Sequence, residues 1–340
     1  MLELDLLRFE EEADRDAQLR SIATTARTLA SRSNREANNF LMRAIGLRAL
    51  PTRNEEYYDL ALNYSLALTY AFLDEPGMAS EHLERSGILP YDGGDLIFSE
   101  AQHRGLEIAA KQEASLEAKV PAVFLASMPR SASAALSSTI SEHFGCPIVR
   151  ASLGRFSNYY LVPFWVRRLS RGGCVLHDHF GAERFNREVL ADCGIRNVFL
   201  LIRDPRAAAA SYVTLDQKHN GKAVSEELIL NVFETMYLPW LTQWQEYAVS
   251  SNDVRVIWLR SQDVTAGNDS LRAVMEQIVM SLAPTAPDWR PPDFSTISLA
   301  EANFVSGTSD GWRQLVSKSG QERMWSRIPV LFRDMLELTP

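Results

Sequence analysis

Four short, nearly uninterrupted apolar runs constrain this chain more than any other feature. They are VFLAS (Val123 to Ser127), CVLH (Cys174 to His177), NVFLLI (Asn197 to Ile202) and VRVIWL (Val254 to Leu259). A strand that alternates apolar and polar residues has one dry face, whereas one that is apolar throughout is buried on both. The segments between the runs carry helical spacing, and helices between successive strands supply the double cover. The expectation is an α/β domain over residues 119–340, with a central, mostly parallel sheet and helices on both faces.

Residues 1–118 read differently, as an all-α N-terminal subdomain. From about Arg8 the sequence is helix-prone, and EEYYDLALNYSLALTYAFL sets Tyr58, Leu62, Ser65, Leu66 and Tyr70 on one helical face. DEPGMASEHLERSGILP then predicts a turn at Pro76 and Gly77, a short helix, and a stop at Gly87 and Pro90. Such a pair resembles a tetratricopeptide-like hairpin, although no 34-residue period repeats it. These helices offer a surface to a protein partner or a second copy of the chain.

With 46% hydrophobic and 23% charged residues among 340, the chain has ordinary globular composition. Its first residues, MLELDLLRFEEEADRD, lack a basic stretch followed by an apolar run, and no apolar run reaches the roughly 20 residues of a spanning helix. A soluble, cytoplasmic protein without a membrane span is expected. Cys146, Cys174 and Cys193 have no short spacing and fit free, largely buried thiols rather than a disulfide framework or a zinc site. The net charge of −8 argues against nonspecific nucleic-acid binding. An anion site would need basic groups and backbone donors converging on one place.

Ligands of parallel sheets bind beyond the carboxyl ends of the strands. There the four runs end in MPRSAS, HDHF, RDPR and RSQD. The first cluster leads into a helix patterned by Leu136, Ile140 and Phe144, so Pro129 to Ser133 form a turn at a helix N-terminus. Unpaired N–H groups and the dipole attract anions there, and Arg130 and the hydroxyls of Ser131 and Ser133 add to them. A capped strand–helix joint would use the same serines. The third cluster sets Arg203 at a strand end and Ser211 eight residues on, about two turns along the next helix, where both can reach one phosphate. Its plain alternative is an Arg203–Asp204 ion pair with Pro205 opening the helix. GxxxxGK[ST] is absent, which weakens a P-loop nucleotide phosphotransferase.

FLASMPRSASAAL followed by VFLLIRDPRAAAAS resembles the sulfotransferases that use 3′-phosphoadenosine-5′-phosphosulfate (PAPS), whose motifs are PRSGT or PKSGT and RDPxxxxxS. The resemblance spans about residues 120–335 and implies a P-loop-like fold. It implies that Arg130, Ser131, Ala132, Ser133 and Ala134 hold the 5′-phosphosulfate, while Arg203 and Ser211 hold the 3′-phosphate. Gly307, Trp312 and Arg313 stand in FVSGTSDGWR, where the family has a basic, Gly-rich segment and a Trp near the nucleotide, with Val305 and Ser306 in place of basic residues. Ala132 replaces the motif glycine and demands a φ that L-residues rarely adopt; Ala134 replaces a common Thr. The family's Lys-x-His corresponds to His177 and His179, making His179 the general base, with His177 as the competing assignment. PAPS is the co-substrate, and no metal is expected, because His177, Asp178 and His179 lack a fourth ligand at normal spacing.

The acceptor implied is an alcohol of unstated identity. RASLGRFSNYYLVPFWVRRLSRGG offers Phe156, Tyr159, Tyr160, Phe164 and Trp165 as an aromatic wall, or else an amphipathic helix over the sheet. NVFETMYLPWLTQWQEYA offers Trp240 and Trp244, with Pro239 kinking or opening a helix. The rival to an enzyme is a protein of the same fold without catalysis, binding partners through its N-terminal helices.

Overall fold

The computed structural model describes residues 55–340 except 73, 93–97, 156–157, 221–222 and 300–310. The chain divides into two compact units, one of Met1–Ala110 and Val149–Arg168, the other of Lys111–Ile148 and Leu169–Pro340. In chain order, the helices α1 (Glu55–Phe72), α2 (Pro76–Ser86) and α3 (Phe98–Glu117) precede β1 (Ala122–Ser127), α4 (Ser133–Phe144) and β2 (Ile148–Val149). Then come β3 (Ser152–Arg155), β4 (Asn158–Leu161), α5 (Pro163–Leu169), β5 (Cys174–Asp178), α6 (Arg184–Asp192), β6 (Asn197–Ile202) and α7 (Pro205–Asn220). The remainder is α8 (Glu226–Val232), a π-helical turn (Phe233–Tyr237), α9 (Leu238–Ser250), β7 (Arg255–Arg260), α10 (Ser261–Thr265), α11 (Asn268–Leu282), α12 (Lys318–Arg327) and α13 (Val330–Met335).

In the first unit α1 and α2 form the helix pair read from the sequence. Gly87, at φ 66°, closes α2 by bonding its N–H to Glu84 O, as a left-handed C-cap glycine does. His82 Nδ1 meets Asn63 Oδ1 at 2.9 Å between the two helices. Tyr64 and Tyr91 join hydroxyls at 2.8 Å, and Trp165 donates its indole N–H to Ile88 O. The stretch from Arg150 is not one continuous amphipathic helix. Strands β3 and β4 pair antiparallel, Ser152 opposite Leu161 and Arg155 opposite Asn158, before Pro163 opens α5. Ser152, Leu153 and Leu161 are all buried in this hairpin, and Pro163 can begin a helix but not sit inside one. Phe156 lies outside the described residues, as do residues 1–54.

The second unit carries the expected α/β architecture, but it includes residues 111–118 and leaves residues 149–168 of the expected 119–340 to the first unit. Its sheet runs β2-β5-β1-β6-β7, and β1 pairs parallel with both β5 and β6, as β6 does with β7. Val123 and Leu125 share one core with Leu136 and Ile140 of α4 and Met275 and Ile278 of α11. Phe124 and Ala126, alternating with them on β1, are also buried, so both faces are covered. Burial holds the Cys146 thiol up to about 12 and raises Cys174 as well, leaving both as core side chains. Because the strands are parallel, MPRSAS, HDHF, RDPR and RSQD all lie at the carboxyl edge.

The approach to β5 depends on one tight turn. Gly173, at φ 70°, donates its N–H to Val120 O at 2.7 Å, and a Cβ on it would lie 2.6 Å from Gln112 O. Gly173→Ala combines a left-handed conformation with a backbone clash and should cost about 2–4 kcal/mol of unfolding free energy. Denaturant unfolding would check this, and an unchanged midpoint would contradict it.

Candidate functional site

The first part of the site is the turn after β1. Met128 still bonds through its N–H to Leu201 O on β6, and the chain then bends through Pro129 into α4. Arg130 has φ 66°, and Ala132 has φ 64° and ψ 22°. L-residues lose roughly 1–2 kcal/mol each in this region. Ala132 therefore adopts the conformation that its place in the turn demands, despite its Cβ. Left-handed residues within a turn aim successive N–H groups toward one side, which makes a concavity for an anion. Helix α4 starts at Ser133 with no side-chain cap, so its positive end adds to the same concavity. The buried Ser131 donates its hydroxyl back to Met128 O, bracing the turn.

Basic groups converge on this turn as the motif spacing predicts. Arg203 Nη1 donates to Arg130 O at 2.9 Å, and Arg130 Nε donates to Ser211 Oγ at 3.1 Å. The two expected phosphate clusters thus adjoin. Burial lowers the pKa of Arg203; Asp204 opposes that shift and the nearby Arg130 cation adds to it. An anion between the two guanidiniums would relieve their repulsion.

The histidines lie on the strand next to β1. In the parallel register Leu125 faces His177 and Ala126 faces Asp178, placing both imidazoles beside the end of β1. His179 Nδ1 lies 2.8 Å from Ser127 O and 3.0 Å from Ser127 Oγ. A carbonyl oxygen only accepts, so Nδ1 carries the proton and Nε2 of the neutral ring holds a lone pair. His177 Nε2 is 3.3 Å from the same Ser127 hydroxyl, and its Nδ1 is 3.3 Å from Ser137 Oγ. Hydroxyls donate or accept, so these contacts leave the His177 tautomer unassigned. Of the two imidazoles, His179 is the one whose contacts assign the Nδ1 proton.

Other expected residues occupy different places. Trp312 and Arg313 stand beside Arg206, whose guanidinium lies 4.7 Å from the Trp312 ring and 5.4 Å from Trp325. Arg206 is 1% exposed, pairs with Asp204 at 3.0 Å and donates to Thr339 O. Arg313 bonds to Gln321 and Thr339. Asp204 thus pairs closely with Arg206, whereas the sequence offered Arg203. The RSQD cluster holds the end of the chain, with Arg260 paired to Asp263 and Glu337 and Gln262 bonded to Leu336 O. Gly307 lies outside the described residues.

Sequence reasoning missed Ser127, Ser137, Arg206 and Tyr237. The Tyr237 hydroxyl, fully buried, reaches Pro129 O at 3.3 Å and Ala208 O at 3.4 Å. Burial raises its pKa well above the ordinary tyrosine value, so it is a neutral donor. The available signal was Pro239, which a regular helix cannot absorb without local rearrangement.

No family model matches the chain, and no curated protein sequence does. Among solved structures it is similar to mouse sulfotransferase SULT7A1 complexed with PAP, at 14% identity and a TM-score of 0.41, covering 69% of this chain and 91% of that one. What the structure itself defines is an α/β protein with a left-handed turn, two adjoining guanidiniums and two imidazoles at one sheet edge. Among the described residues no helix is long and apolar enough to cross a membrane.

Removing the Asp204 carboxylate would leave Arg206 as a buried cation short of its counter-charge. Asp204→Ala should lower the unfolding free energy by about 3 kcal/mol, read from denaturant midpoints. A variant as stable as the parent would contradict the pairing.

Proposed function

We propose that the chain transfers a sulfuryl group from PAPS to a hydroxyl of an acceptor. The observation that carries this reading is the meeting of the left-handed turn, the Arg130 and Arg203 guanidiniums and the basic nitrogen of His179 at one sheet edge. In this reading Arg130, Ser131 and the backbone of Ala132, Ser133 and Ala134 bind the 5′-phosphosulfate. Arg203 and Ser211 bind the 3′-phosphate, and Trp312, Arg313 and Gly307 flank the nucleotide.

Bound PAPS supplies the sulfuryl group, its bond to the 5′-phosphate oxygen breaking as a new bond forms from sulfur to the acceptor oxygen. His179 Nε2 takes the acceptor proton, while Ser127 O holds Nδ1–H and so keeps the ring in the basic tautomer. Arg130 and the α4 N–H groups counter the charge that collects on the leaving phosphate. His177 stands where the resemblance places a lysine, hydrogen-bonded within reach of the same Ser127 hydroxyl. The protein is placed in the cytoplasm, with the N-terminal helices available to a partner.

An acceptor screen with radiolabelled PAPS tests this directly. The parent should label an alcohol, and Arg130→Ala should reduce the rate on the order of 100-fold or more. His179→Ala should also lose turnover. Full activity in His179→Ala would remove it as the base. Tight binding of the desulfated nucleotide with no transfer to any acceptor would favour the non-catalytic reading instead.

A further inference from the structure

A helix interrupted by one wide turn joins the separate parts of the candidate site. Between Glu226 and Ser250 the chain stays helical, but Phe233–Tyr237 form a π-turn in which Leu238 N bonds to Phe233 O, five residues back. Pro239, two residues on, has no N–H and its ring crowds the preceding turn, so widening the helix there relieves both problems. A π-turn inserts one residue and rotates the downstream helix, α9, relative to the upstream one, α8. Glu234, inside the turn, is paired with Arg323 of α12 at 2.6 Å, which ties the bulge to the C-terminal helices.

The rotation has a specific result. Tyr237, Trp240 and Trp244, spaced three and four apart, share one face and are buried at 0%, 4% and 0% exposure. Each carries one polar hydrogen, and each points it at a backbone carbonyl of a segment that builds the site. Tyr237 Oη reaches Pro129 O of the phosphate-binding turn and Ala208 O of α7. Trp240 Nε1 donates to His179 O at 3.2 Å and Phe180 O at 3.0 Å, and Trp244 Nε1 to Phe180 O at 3.3 Å. Plain core packing would explain the three rings. It does not explain three donors aimed at the carbonyls of the turn after β1, the loop after β5 and the start of α7.

We propose that Tyr237 and Trp240 are positioning residues, Tyr237 setting the phosphate-binding turn against α7 and Trp240 setting the backbone of His179, with the π-turn fixing the register that lets one helix face reach both. The effect on turnover rests on the sulfotransferase reading; the structural coupling does not. Tyr237→Phe keeps the ring and removes the donor, leaving the Pro129 and Ala208 carbonyls short of it. Trp240→Phe removes the donor to His179 O and Phe180 O and leaves a smaller ring in place of the indole.

Two measurements on the full chain separate the ideas. Hydrogen exchange without ligand should quicken at 130–134 in Tyr237→Phe and at 179–182 in Trp240→Phe, each with the other segment unchanged. With nucleotide, Tyr237→Phe should weaken 3′-phosphoadenosine-5′-phosphate about tenfold, the size of one lost hydrogen bond. Trp240→Phe should lower kcat about tenfold while nucleotide affinity stays within about twofold. Uniform exchange changes across Leu169–Pro340 in both variants, or no local change in either, would overturn the proposal. If the parent binds no such nucleotide but the local exchange pattern holds, the sulfotransferase reading fails and the positioning role stands.

Discussion

Everything at the carboxyl edge of the sheet depends on holding two L-residues, Arg130 and Ala132, in a left-handed conformation. Together they cost roughly 2–4 kcal/mol and would relax unless their surroundings left no alternative. Four hydrogen bonds remove the alternatives. Met128 N–H is fixed to β6, Ser131 Oγ to Met128 O, Arg203 to Arg130 O and Tyr237 to Pro129 O. The turn's geometry is thus held by β6, the Arg203 beyond it and the Tyr237 that ends the π-turn, not by glycine in the turn itself. Strain maintained in this way is characteristic of binding sites, because a turn built in advance loses little entropy when its ligand arrives.

The charges are arranged just as locally. A chain with a net charge of −8 has no general attraction for anions. Its positive charge at the sheet edge comes from two adjoining guanidiniums and a helix N-terminus, while Arg206, three residues beyond Arg203, lies against the rings of Trp312 and Trp325. The RDPR sequence therefore splits its work. Its first arginine bonds the Arg130 carbonyl, and its second, with Asp204, fastens the C-terminal segment to the start of α7.

The sheet was legible because burial on both faces leaves a direct mark on composition. NVFLLI is β6 to the residue, and the other three strands match within one residue at either end. The motif pairs came from the resemblance, and the structure brings them together to the extent that Arg203 bonds Arg130 O and Arg130 bonds Ser211. The β3–β4 hairpin was hidden by aromatics whose spacing also suits a helix, and each of its strands is only four residues long. Arg206 and Tyr237 were illegible in principle. Their partners, Trp312 and Thr339 for one and Pro129 for the other, lie about a hundred residues away, and no local pattern encodes such pairings.

A crystal structure with 3′-phosphoadenosine-5′-phosphate bound tests the central claim most directly. The 5′-phosphate should lie against the N–H groups of residues 131–134 with Arg130 beside it, and the 3′-phosphate should lie against Arg203 and Ser211. His179 Nε2 should face the space left for sulfur and acceptor. Phosphates bound away from this turn, or no binding at millimolar nucleotide, would contradict it.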